Sequence, residues 1–451
     1  MSIKTLEYKK LALGLVVGIV FFLVSFPFFT PTQSFLMGSI ALLVTYWTNE
    51  ALPLGVVSLL PIILFPALGI IDTKTTTVNY AHPIIYLFLG GFLLAIAVEK
   101  TKFHIYIADK ILNFFPATPR GMIFSLSITA ALLSSVLSNT TTTLLLITIA
   151  IFITENTKLK MRFALAIAYG ASIGGILTPI GTPPNLILLG VMQEHDMELI
   201  PFFQWMWMVV PLVSIMIVSM SFLLSIGVSD IKIKRDSIVN YLKKDQKKVM
   251  YLLLGLITLL LINAPIKPYW DGLGLSESGV LLAFGLVLFM PPFKILDWID
   301  DAHKVPYAII FLFGAGFSIA KAFSQTGLAD VFASYLLYFT NLPPMLLLFS
   351  VAILITFTTE ITSNTALISI MLPVLYSVSQ QAGINTTLFM MVATVCASYA
   401  FMLPIATAPN AIAMSSGVVH VKDMMKYGIV LNLLGIFFIV MITEYFWKSI
   451  L

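Results

Sequence analysis

Ser138-Asn139-Thr140, followed by Thr178-Pro179-Ile180-Gly181-Thr182-Pro183-Pro184-Asn185, is a polar phrase set into apolar surroundings. The chain carries it twice. The second copy reads Ser363-Asn364-Thr365, followed by Pro404-Ile405-Ala406-Thr407-Ala408-Pro409-Asn410. Positions 138 and 363, 182 and 407, and 185 and 410 are each 225 residues apart, half of the 451-residue chain. Phe92/Phe317, Ala95/Ala320, Thr101/Thr326, Pro179/Pro404, Ile180/Ile405 and Pro184/Pro409 keep the same register. The chain reads as a duplicated half. Each half holds a polar tip and, some 40 residues on, a break rich in Pro and Thr. In membrane proteins, interrupted segments at corresponding positions of two repeats point to a substrate site.

Composition agrees with burial in lipid. Hydrophobic residues make up 59% and charged residues 10%, and the mean hydropathy is +1.00. Soluble domains average roughly 45–50% apolar and about 25% charged, so a water-soluble surface cannot be built from this mixture. The single cysteine, Cys396, excludes an intrachain disulfide. The first apolar run lacks the small-residue cleavage pattern of a signal peptide and reads as a spanning helix. The net charge of +4 follows from the loops and implies no nucleic-acid partner.

A spanning helix needs about 20 apolar residues. Eleven candidates fall at 11–30, 35–49, 51–70, 82–98, 162–191, 202–228, 249–264, 275–292, 305–320, 388–417 and 428–447. Two further stretches, 120–154 and 344–378, suit two half-length passes each, with Ser-Asn-Thr near the middle. Such a hairpin enters the membrane, turns at its polar tip and leaves by the same side. Irregular backbone at that depth is tolerated only where protein buries it or a watery cavity meets it. With a cytoplasmic N-terminus, 21 of the 25 basic residues fall on the inner side, and Lys74, Lys267, Lys321 and Lys448 stay outside. The first hairpin then opens to the cytoplasm, the second outward, and the C-terminus lies outside. The expected fold is an all-α polytopic membrane protein, with eleven transmembrane helices and two re-entrant hairpins in two inverted repeats. The stretches 99–118 and 321–342 carry Lys100, Lys110, Lys321 and Asp330, and read as interfacial amphipathic helices or as loops. The basic segment 229–248 fixes orientation or binds acidic lipid.

The tips carry specific chemistry. The helix before each tip ends with unpartnered carbonyls, and the helix after it starts with unpartnered N–H groups. Carbonyl and side-chain oxygens can surround a small hard cation, whereas N–H groups at a helix start can hold an anion. Pro183 and Pro184 withhold backbone donors and stop the helix. Ser134 precedes Ser138 by four residues, and Thr359 precedes Ser363 likewise, so a helix sets a hydroxyl one turn below each tip. No Asp, Glu, Lys or Arg occurs in either motif. Ser and Thr also serve simple helix packing in membranes, but two copies in register, each with its own Pro-Asn break, favour function. Glu360, beside the second tip, is a costly buried carboxylate; it reads either as a proton or cation handle or as the partner of a basic residue. Five scattered histidines give no metal pattern. Gly90-Gly91 and Gly314-Ala315-Gly316 read as close-packing points.

These residues resemble the divalent anion/sodium symporter family, whose hallmark is a pair of Ser-Asn-Thr hairpin tips, each followed by a broken helix. The resemblance spans essentially the whole chain, with one departure at Ala408, where the first half has Pro183. It implies a homodimeric transporter of dicarboxylates such as succinate, malate, fumarate or 2-oxoglutarate, moving a transport domain as an elevator. The scaffold would comprise 1–118 and 229–342, and the transport domain 119–228 and 343–451. One sodium site would draw on Ser134, Ser138, Asn139 and Gly181, the other on Thr359, Ser363, Asn364 and Ala406. Substrate would meet Asn139, Thr140, Asn364 and Thr365, with Thr182 and Thr407 lining the pocket. Neither an enzymatic activity nor an organic cofactor is implied. The expected place is the plasma membrane, the inner membrane of a bacterium. Sodium symport is the first reading. Sodium-independent exchange, transport of sulfate, and an ion channel are the alternatives. Oppositely opening hairpins suit alternating access better than a pore open to both sides. A sodium/proton antiporter would want buried Asp pairs, and an intramembrane enzyme a Ser/Lys or Asp/Asp pair; the tips hold neither.

Overall fold

The computed structural model describes residues 3–151, 153–228, 241–265, 269–336 and 343–451. Its regular structure among these residues is helical. The first half comprises α1 (Ile3–Ser25), α2 (Pro31–Asn49), α3 (Leu54–Ala67), α4 (Thr73–Val78), α5 (Pro83–Lys100), α6 (Phe103–Phe114), α7 (Pro119–Ser134), α8 (Asn139–Ala150), α9 (Thr157–Gly175), α10 (Pro183–Glu194) and α11 (Phe202–Ser225). The second comprises α12 (Lys244–Asn263), α13 (Glu277–Val287), α14 (Trp298–Asp301), α15 (Tyr307–Gln325), α16 (Leu328–Leu336), α17 (Pro344–Thr359), α18 (Asn364–Ala382), α19 (Thr386–Ala397), α20 (Ala408–Ser415) and α21 (Val421–Tyr445).

The register of 225 survives in fine detail. Asp72 caps α4 by accepting from Thr75 N, and Asp297, its copy, caps α14 by accepting from Ile299 N and Asp300 N. Such caps satisfy backbone donors that a helix start leaves free. Packing exchanges elements between the halves. α3 packs on α15 while α13 packs on α5, and α10 packs on α18 while α20 packs on α8. α11 and α21 meet each other, and α1 lies along α2. At the α1–α2 crossing a Cβ on Gly18 would come within 3.1 Å of Gly38 O, so small residues there set how closely the backbones approach.

Both hairpins form. α7 ends at Ser134 and α8 starts at Asn139; α17 ends at Thr359 and α18 starts at Asn364. Both long segments break as the prolines require: α9 stops at Gly175 and α10 restarts at Pro183, while α19 stops at Ala397 and α20 restarts at Ala408. Pro suits the first helical turn, where its missing N–H has no partner to lose. The glycine pairs are close-packing points: a Cβ on Gly90 would lie 2.4 Å from the Leu281 carbonyl carbon, and one on Gly316 would lie 2.6 Å from Ser369 Oγ.

Some boundaries differ from the sequence reading. α15 runs on to Gln325 and takes in Lys321, which pairs with Glu194 of α10 at 3.4 Å. The 275–292 stretch yields only eleven helical residues, since hydrophobicity continues past the helix end into Pro291-Pro292. Among the described residues, five helices are long and apolar enough to cross a membrane by themselves, and others, such as Leu54–Ala67 and Thr386–Ala397, are apolar but shorter. The stretch 99–118 is helical from Phe103 to Phe114 and 321–342 contains α16. Residues 337–342, Lys232, Lys234 and Arg235 of the basic segment, and Lys267 lie outside the described residues.

Candidate substrate and cation site

The two tips and the two breaks converge on one cavity of about 750 Å³, within the roughly 300–1,000 Å³ of small-molecule sites. All six residues expected at the substrate, Asn139, Thr140, Thr182, Asn364, Thr365 and Thr407, line it. So do Ser138, Gly181, Ser363 and Ala406 of the expected cation sets. Among the described residues, Lys10 and Glu50 are the charged residues of the lining. An anion held between the tips therefore meets hydroxyls, amides and helix starts first. The first N–H groups of α8 and α18 have no intrahelical partners, and both helices begin at the cavity.

Ser134 and Thr359 lie one layer deeper, both fully buried. Ser134 Oγ donates to Asn139 Oδ1 at 2.5 Å, and Thr359 Oγ1 donates to Asn364 Oδ1 at 2.6 Å. The four-residue helical spacing to Ser138 and Ser363 is not the reason they join the site, because α7 and α17 have already ended. The hairpin folds back and brings the asparagine, five residues on, over the hydroxyl. Ala397 O lies 2.9 Å from Thr359 Oγ1 and shares its single proton with Asn364 Oδ1, which sets the second tip against the end of α19. Each tip thus offers a hydroxyl, an amide oxygen and neighbouring break carbonyls, a donor set that suits a small hard cation. Ser138 Oγ accepts from Thr141 N and donates to Thr141 Oγ1, and Ser363 Oγ accepts from Ala366 N, so both serines also cap the helix they start.

Asn185 and Asn410 act differently from the other motif residues. Both are fully buried. Asn185 Nδ2 donates to Thr178 O at 2.9 Å and Gly175 O at 3.3 Å. Asn410 Nδ2 donates to Leu403 O at 3.0 Å and Ala400 O at 2.8 Å. Each amide spans its break and ties the stopped helix to the restarted one. The sequence signal was an Asn held in register behind each proline; its bracing role was not read from it.

The Glu360 question resolves into geometry. Its carboxylate is buried and accepts from Phe401 N at 2.8 Å, Met402 N at 2.9 Å, Leu403 N at 3.1 Å and Asn432 Nδ2 at 2.6 Å. Backbone donors freed by the second break, not a basic side chain, are its partners. Its copy in the first half is Ser135, whose carbonyl accepts from Thr178 Oγ1 at 2.5 Å. Asn432, 72 residues further on, had no motif to announce it.

The family model for citrate transporters matches residues 40–394, and the chain belongs to this family of membrane transporters. Its relatives include proteins named sodium-dependent dicarboxylate transporter SdcS. The one from Staphylococcus saprophyticus is 30% identical, over 97% of this chain and 92% of its own. The one from Staphylococcus aureus is 31% identical over the same shares. The resemblance to divalent anion/sodium symporters is thereby upheld. Among solved structures, the YdaH transporter of Alcanivorax borkumensis shares the fold with a TM-score of 0.57 at 14% identity, over 83% of this chain and 88% of that one. MtrF of Neisseria gonorrhoeae does so with a TM-score of 0.59 at 12% identity, over 82% of each. The chain is a multi-pass membrane protein of a dicarboxylate-transporter lineage.

Proposed function

We propose that this protein moves small dicarboxylates, of the succinate, malate, fumarate and 2-oxoglutarate kind, across the bacterial inner membrane by sodium-coupled alternating access. The observation that carries the reading is the convergence of both tips and both breaks on one cavity. Each tip holds one carboxylate through Asn139 and Thr140 or through Asn364 and Thr365, with Thr182 and Thr407 on the walls. Each tip also cages one sodium ion, through Ser134, Ser138, Asn139 and Gly181, or through Thr359, Ser363, Asn364 and Ala406. Residues 119–228 and 343–451 move as a transport domain against a scaffold of 1–118 and 229–342, in the manner of an elevator. The scaffold pairs two copies into a homodimer. The membrane holds eleven spanning helices and two hairpins, with the N-terminus cytoplasmic and the C-terminus outside.

The SdcS relatives, named as sodium-dependent, support symport over exchange. The test uses purified protein in liposomes with labelled succinate. Uptake is expected to need an inward sodium gradient and no internal dicarboxylate. Uptake that ignores sodium but needs internal succinate would establish exchange instead. Orientation is checked in a Cys396→Ala background with an impermeant thiol reagent. Lys158→Cys, at the open end of the first hairpin, should label from inside, and Gln381→Cys, at that of the second, from outside. Labelling of both from one side would overturn the inverted topology.

A further inference from the structure

The two cation cages share their hydroxyl and amide geometry but not their charge. Glu360 follows Thr359 directly and C-caps α17. The C-terminal end of a helix already carries partial negative charge, so an anion there is unfavourable by itself. Among the described residues its partners are donors: three backbone N–H groups of the second break and the Asn432 amide. Both oxygens accept, Oε1 from Phe401 N, Met402 N and Asn432 Nδ2, and Oε2 from Met402 N and Leu403 N. The first cage has the neutral Ser135 at this place, joined to its break by one hydroxyl from Thr178.

From this contrast we infer that Glu360 is a positioning residue that makes the two sodium sites unequal: the second site, beside Thr359 and Asn364, binds sodium more tightly and fills first. The inference rests on the sodium-coupled reading above. Two features produce the inequality. The carboxylate fixes residues 401–403 against the second tip, so the cage around Ala406 is assembled before the ion arrives. Its charge also attracts a cation one residue away, an interaction that a low-dielectric interior screens weakly.

The experiment is sodium-dependent succinate uptake in proteoliposomes for wild type, Glu360→Gln, Ser138→Ala, Ser363→Ala, and Glu360→Gln combined with each serine variant. Glu360→Gln keeps the side-chain size and removes the charge. Its half-saturating sodium concentration should rise at least about tenfold, the lower end of what an opposite charge within about 4–6 Å does to an ionised group. Maximal uptake should return at saturating sodium, which a collapsed fold cannot deliver. The effects of Glu360→Gln and Ser363→Ala should be non-additive, because both report one site, whereas Glu360→Gln and Ser138→Ala should add. An unmoved sodium curve in Glu360→Gln, or coupling to Ser138 in place of Ser363, would overturn the inference. If Glu360→Gln does not fold, the single serine variants decide: Ser363→Ala must move the low-concentration part of the curve and Ser138→Ala the high part, and the reverse order refutes the inference. Wild-type uptake that ignores sodium would instead remove the sodium-coupled reading itself.

Discussion

The two halves of the molecule keep the same frame and differ in what fastens it. Asn185 and Asn410 brace their breaks through equivalent carbonyls, 175 and 178 in one half, 400 and 403 in the other. Ser134 and Thr359 each hold the tip asparagine that follows five residues later. One step away the halves part. A hydroxyl–carbonyl bond fastens tip to break in the first, and a carboxylate with four donors does so in the second. The tips are also unequally sheltered, with Thr140 exposed and Thr365 buried. The Ser-Asn-Thr tips and the asparagine braces recur in both halves, while the joint between tip and break differs.

The hardest test of that comparison is the pair of braces. Asn185→Ala and Asn410→Ala each remove two buried hydrogen bonds; Gly175 O and Ala400 O lose the amide donor, while Thr178 O and Leu403 O keep Gly181 N and Ala406 N at 3.3 Å. Each loss should cost about 2–4 kcal/mol of stability, from about 1–2 kcal/mol per bond with its desolvation penalty. Thermal melts in detergent and uptake assays should show both variants crippled to a similar degree. A mild effect in one half alone would break the equivalence.

Next come the tip hydroxyls. Thr140→Val and Thr365→Val keep shape and remove one donor at each end. Hydrogen bonds to charged groups are worth about 1.5–3 kcal/mol, so succinate affinity should fall roughly tenfold or more in both. Butyrate, with one carboxylate, should compete with wild-type succinate uptake at least about tenfold more weakly, for the same reason. Equal competition by butyrate, or full activity in either variant, would show that the tips do not share one dicarboxylate.

The smallest effect concerns a support found in one half only. Asp301 is buried, and its carboxylate takes the ammonium groups of Lys100 at 2.5 Å and Lys304 at 2.7 Å. Burial pushes its pKa up, but the Asp297 N–H and those two ammonium groups outweigh it and hold the carboxyl below the usual range. A depressed carboxylate contributes stability fully above its unfolded pKa, and that contribution fades as pH falls through the lower folded value. The melting temperature of wild type should therefore be flat from about pH 6 to 8 in this respect and fall toward acid. Asp301→Asn should flatten the acid limb. An unchanged limb would show that the ion pairs add nothing.

Much of this was legible in the sequence, and the reason is symmetry. A single Ser-Asn-Thr has many uses, but two in a fixed register with matching Pro-Asn breaks have few, and the tips and breaks followed from that, while the division of residues between cation and substrate came from the family resemblance. Helix ends were read less well where hydrophobicity alone set them, as at 275–292, because lipid-facing and loop residues there are equally apolar. Glu360 stood out as a buried carboxylate beside the second tip, but the partners of its joint were not legible. Its donors are backbone groups, which no side-chain pattern announces, and an asparagine on α21 brought in by tertiary packing. Glu194 and Lys321 likewise meet only because α10 packs on α15.

That last packing has a sequel. α15 presses on α10 and α18, whereas its copy α5 faces the open cavity with Phe88, Gly91 and Phe92. Walls in the same register stand in opposite relations to their Ser-Asn-Thr tips. Under alternating access, the conformation not seen here is the one in which the walls trade places, and a shift of 225 residues translates one set of contacts into the other. The close approach of Gly190 to Phe317 becomes Ser415 against Phe92, and that of Gly316 to Ser369 becomes Gly91 against Leu144. On the proposed mechanism, the chain carries a written description of its other face, spelled in the numbering of its own repeat.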